Sequence, residues 1–158
     1  MRYAVWLSVA CWLVACQRDS LQDVLPRGGE TIVGATQLEL LSLSPEPKPA
    51  PGTRLFHGWR VLGTTPIQAA STRSEILKAI AQGIREPPQE AAACFRPRHG
   101  LRATHAGETV DLLICFECFR TDVYVGEGRE NSVRTARSPQ PVLDAALRAA
   151  GVELAVSP

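Results

Sequence analysis

The chain of 158 residues contains no apolar run long enough to cross a bilayer as a helix. Its longest, "AVWLSVACWLVA" from Ala4 to Ala15, is about a dozen residues, against the roughly 20 that a spanning helix needs. That length excludes a spanning helix there and matches the core of an export signal. Charge of either sign is not in excess either, with 17 Lys plus Arg facing 16 Asp plus Glu. No global field steers such a chain to nucleic acid or to an anionic membrane, so no nucleic-acid partner is expected. The cysteines number five. No second acid/base group with a definite geometric partner accompanies the thiols and histidines, so the sequence names neither a reaction nor a cofactor.

Arg2 precedes the apolar run, and Gln17, Arg18 and Asp19 follow it. The four residues "LVAC", Leu13 to Cys16, resemble the lipobox of bacterial lipoproteins. The resemblance implies diacylglycerol on the Cys16 thiol, cleavage between Ala15 and Cys16, and acylation of the new amino terminus. Three acyl chains anchor stably where one, at about 0.8 kcal/mol per buried methylene, is marginal. Gln17, in place of aspartate, resembles the signal for sorting to the outer membrane. The organisation expected is a signal peptide over residues 1–15, a lipidated Cys16 and flexible tether over 16–34, and a single globular domain over 35–158. Its place is the outer membrane, facing the periplasm. The membrane, reached through the lipid anchor, is its first partner. The spacer "QRDSLQDVLPRGGE" has no sustained period, and its residues could extend about 45 Å.

Beyond the spacer, "TQLELLSL" reads as a first strand with an irregularity near Leu40 and Leu41, and the proline-rich "PEPKPAP" as a stiff surface loop. "RLFHGWRVLG" is a second strand. Thr72 and Glu75 have capping-box spacing, and Ile76, Leu77, Ile80, Ala81 and Ile84 share one helical face that Pro87 and Pro88 end. The segment from Val110 to Cys118 is apolar on both faces, as a central strand covered on both sides would be. Ser138 and Pro139 start a last helix that Gly151 stops. The fold class predicted is α+β: a small antiparallel sheet of about four strands with two helices packed on it, in the order ββαββα.

Cys11 leaves with the signal peptide and Cys16 takes lipid, leaving Cys94, Cys115 and Cys118 in an oxidising compartment. If the turn "HAG" is a three-residue hairpin loop, Cys94 lies opposite Cys118 at disulfide range. A two-residue loop would put Phe119 there instead. Cys94–Cys118 is the favoured bridge and Cys94–Cys115 the alternative. A redox reading of "CFEC" lacks the helix N-terminus that lowers a thiol pKa. A zinc reading with Cys94, His99, Cys115 and Cys118 has suitable donor types but no turn residue between the last two. No metal site is expected from it.

The stretch "CFRPRHGLR" gathers Arg96, Arg98, His99 and Arg102, a candidate anion-binding cluster. Pairing of these arginines with Glu108, Asp111 and Glu117 is the structural alternative. "LELLSLSP", "FHGWRVLG", "ACFRPRHGLR" and "VDLLICFECF", in that order, resemble a recurring group of small exported bacterial proteins. The resemblance spans about residues 35 to 155 and implies one domain without a mechanism. Two functions stay open: a non-catalytic binding or assembly module for an envelope protein or an anionic ligand, and a thiol/His-dependent enzyme or metal-binding protein using Cys94, His99, Cys115 and Cys118.

Overall fold

The computed structural model describes residues 20–25, 27–46, 51–90 and 92–156. Cys16 and the other residues of "LVAC" lie outside the described residues, as do Pro47 and Pro49. Seven strands form one antiparallel sheet in the order β2-β3-β1-β4-β5-β6-β7, curled into a half-barrel. They are β1 (Gln37–Leu43), β2 (Leu55–Phe56), β3 (Trp59–Pro66), β4 (His99–His105), β5 (Glu108–Cys115), β6 (Arg120–Val125) and β7 (Gly128–Arg134). Among the described residues four helices accompany them: α1 (Leu21–Val24), α2 (Gly29–Gly34), α3 (Ala70–Arg85) and α4 (Gln140–Ala149). This corrects the expected sheet of about four strands with two helices. The sheet dominates, and two hairpins were folded into longer expected strands.

The first of those hairpins is β2–β3. The segment expected as one strand turns at His57 and Gly58, both at positive φ, the signature of a two-residue turn matched to strand twist. The second is β5–β6. Its loop, residues 116–119, carries no glycine, proline or asparagine, yet the chain reverses there with Phe119 at φ 53°. The strand drawn through "CFEC" therefore ends at Cys115, and residues 120–125 form its antiparallel neighbour.

The residues expected as a tether also fold. Leu21, Leu25 and Ile32 of the α1–α2 region are buried in the main core. There they join Ile76 and Ile80 of α3, Leu143 and Leu147 of α4, and one face of the sheet: Leu38, Leu40, Leu101, Leu112, Ile114 and Val123. Strand β1 needs no irregularity at Leu40 and Leu41. Its even residues face the helices while Leu41 and Leu43 face the other side, where Phe56 and Leu113 complete a smaller core. The register shift falls later, between Ser42 and Leu43.

That second face lies inside the curl. In a flat sheet β2 would stand about 19 Å from β5, at about 4.8 Å per strand. Yet His57, just after β2, reaches Asp111 in β5 at 2.7 Å and stacks on Tyr124 of β6 with centroids 3.8 Å apart. Gly100 makes the approach possible, because a Cβ there would stand 2.9 Å from the Phe56 ring.

Candidate functional site

Three constellations of polar side chains follow from this topology. Inside the curl, cross-strand neighbours set Glu39, Arg102, Asp111, Tyr124 and Arg129 in one row across β1, β4, β5, β6 and β7. Asp111 is buried and its carboxylate accepts from Arg102 Nε at 2.8 Å, Arg102 Nη2 at 2.7 Å and His57 Nε2 at 2.7 Å. The bidentate bond to Asp111 raises the Arg102 pKa above its usual value, against the opposing effect of burial. One row further, Asp122 is buried and receives Arg120, Arg129 and Ser132. Burial and the nearby Asp122 charge push the Tyr124 phenol upward, so it stays neutral well into the alkaline range.

On the helical face, His99 is buried and its Nε2 stands 2.8 Å from Asp144 of α4. A carboxylate only accepts, so Nε2 carries the proton. That hydrogen bond lowers the Asp144 pKa, with the His99 and Arg148 charges adding to it and burial opposing.

The expected anion cluster does not converge. Alternation sends His99 toward the helices and Arg102 into the curl, Arg98 is paired with Glu117 at 2.8 Å, and Arg96 is exposed in the loop before β4. The proposed zinc ligands are likewise apart in role, since His99 is held by Asp144. Among the described residues no three His, Cys, Asp or Glu side chains gather as a metal site.

The cysteines do gather, but in a different pairing. The disulfide joins Cys115 to Cys118, and Cys94 is a free, exposed thiol whose Sγ lies 3.5 Å from Cys118 Sγ. This corrects the expected Cys94–Cys118 bridge. The β4–β5 hairpin turns on two residues, Ala106 and Gly107, both at positive φ, so His105 pairs with Glu108. The ladder stops at the His99–Ile114 pair, before it could reach Cys94. The turn at 116–119 then brings the Cys115 and Cys118 Cα atoms to 5.2 Å.

Sequence reasoning missed a groove of about 640 Å³ at the ends of β1, β3 and β4. Thr36, Gln37, Glu39, Arg73, Arg102 and Thr104 line it. The Arg73 guanidinium donates to the carbonyls of Ile32 and Val33, and Arg102 is held by Asp111. Arg73 lies on α3, outside the arginine-rich stretch of residues 96–102, and no local motif announces it. No protein-family model, curated protein or solved structure matches the chain.

Proposed function

We propose that the protein is a lipid-anchored envelope lipoprotein whose domain is a binding module for a small anionic ligand, seated in the groove between β1, β4 and the start of α3. The observation that carries this reading is the pair of arginines, Arg73 and Arg102, that line the groove against the single acidic lining residue Glu39. Each is tied on one side to acceptors of the protein, which fixes the remaining N–H donors before a ligand arrives. Preorganised donors of this kind favour carboxylate or phosphate. The volume lies within the range of small-molecule sites, and Thr36, Gln37 and Thr104 add uncharged donors and acceptors. The lipobox residues Leu13 to Cys16 support the anchor.

Two experiments test the reading. Replacing Cys16→Ala is expected to abolish metabolic labelling by a fatty acid, and undiminished labelling removes the anchor. Titration of the full-length protein in detergent with succinate and with inorganic phosphate is expected to give saturable shifts of the Thr36 and Thr104 resonances. Arg73→Gln is expected to weaken that binding about tenfold, as loss of a charged hydrogen-bond donor does. Absence of saturable binding by both probes, or an unchanged affinity in the variant, overturns the ligand assignment.

A further inference from the structure

We infer that Cys94, Cys115 and Cys118 form a thiol–disulfide exchange site, in which the exposed Cys94 makes the oxidising equivalent of a buried disulfide available to an external dithiol. This goes beyond the groove and does not rest on it.

Cys115 and Cys118 are both buried, so a dissolved thiol has no direct path to either sulfur. Cys94 is exposed, and its sulfur stands 3.5 Å from Cys118 Sγ, at contact distance for nucleophilic attack. The attacker is held there by its own segment. Phe95 packs edge-on against Trp59 and lies under the Arg120 guanidinium, and the Arg98 N–H and C=O bond to Ile114 and Leu43.

The leaving group is prepared as well. Two backbone N–H groups, of Arg96 at 3.4 Å and Cys118 at 3.2 Å, point at Cys115 Sγ. Donors aimed at a sulfur stabilise its thiolate, and a better-stabilised thiolate leaves faster. Neither N–H is needed to hold the disulfide closed. Both are placed to receive the charge that appears when it opens.

The exchange balances as follows. Cys94 loses its proton to solvent and attacks Cys118 Sγ. A Cys94–Cys118 bond forms, the Cys115–Cys118 bond breaks, and Cys115 departs as a thiolate under its two N–H donors. No electrons leave the protein in this step. The disulfide now has one exposed sulfur, Cys94. A thiolate of the external dithiol attacks it and releases Cys118 as a thiol. The second thiolate of the dithiol then attacks the mixed disulfide and releases Cys94. The dithiol is oxidised to a disulfide, and the chain's disulfide is reduced to two thiols.

The test uses full-length protein in detergent, dithiothreitol as the dithiol, acid quenching, and peptide mass spectrometry. Trypsin separates Cys94, in the peptide of residues 86–98, from Cys115 and Cys118, together in the peptide of residues 103–120. The Cys115–Cys118 bond therefore stays within one peptide, and the exchanged bond joins two. Reduction of Cys94→Ser is expected to be slower than wild type by about tenfold or more, because exchange rates depend on access to the attacked sulfur. Cys115→Ser, oxidised with glutathione disulfide, is expected to yield the joined peptides of Cys94 and Cys118. Equal reduction rates in Cys94→Ser and wild type overturn the proposal. So does a Cys115→Ser protein, native by circular dichroism, in which Cys94 and Cys118 remain unbridged.

Discussion

Asp111 accepts from two sides of the curl, and its partners differ in their access to water. The carboxylate is buried, whereas the Arg102 side chain is 42% exposed. Removing the cation leaves a buried charge with only His57 beside it. Removing the carboxylate leaves a guanidinium that water can reach. Arg102→Ala is therefore expected to cost about 3 kcal/mol or more, and Asp111→Ala less, despite deleting the same ion pair. Urea denaturation of both variants gives the order, and equal losses would refute this account. At Asp144 the sign with pH is fixed by its lowered pKa. Its contribution is fully present above the ordinary carboxylate value of about 3.9 and is lost as pH falls through the lower folded value. The stability gap between wild type and Asp144→Asn is expected to narrow below about pH 4. A gap that widens there would contradict the hydrogen bond to His99. The sequence held these side chains but not their partners: His57 and Asp111 are 54 positions apart, and no spacing rule joins them.

Elements with a strong period were legible. The α3 face was expected from Ile76, Ile80 and Ile84; Ile76 and Ile80 are buried and Ile84 packs at the core's edge. The helix begins earlier than the capping-box spacing suggested, at Ala70, with Ala69 as an N-cap that makes no side-chain bond. Of the run Val110 to Cys118, expected as one strand covered on both faces, Val110 to Cys115 is strand and buried throughout. Ile80→Ala and Phe116→Ala are each expected to cost about 2–5 kcal/mol in chemical denaturation. Losses below about half a kcal/mol at both sites, far under that range, would refute the packing described. What lacked a period was missed. Strand β7, "GRENSVR", is a largely exposed edge with no apolar alternation, and charged edges of this kind resist pairing with other chains. Helices α1 and α2 have four and six residues, too few to repeat a pattern. The 116–119 turn is disguised by burial, since Phe116 and Cys118 serve the interior where turns normally carry polar residues. Arg137 supplies what a polar side chain would, donating to the Phe116 carbonyl at 3.1 Å and covering the Phe119 ring.

For the whole molecule, Leu21 at the start of α1 is fully buried in the main core, where α1 packs on α2 and α3. Leu21→Ala is expected to destabilise the entire domain by about 2–5 kcal/mol, as a core truncation does. A variant that merely frays at its first residues, with an unchanged unfolding midpoint, would restore the tether. The burial of Leu21 also sets the length of the mooring. On the proposed anchor only residues 17 to 20 separate the lipidated cysteine from the packed body, a reach of about 13 Å instead of about 45 Å. A body so anchored would have little reach away from the membrane surface. Under that proposal it would move in two dimensions, at the speed of its lipid, with its α1 end the nearest to the headgroups. A partner of the anchored form would then have to come to that thin layer or already reside in the same membrane.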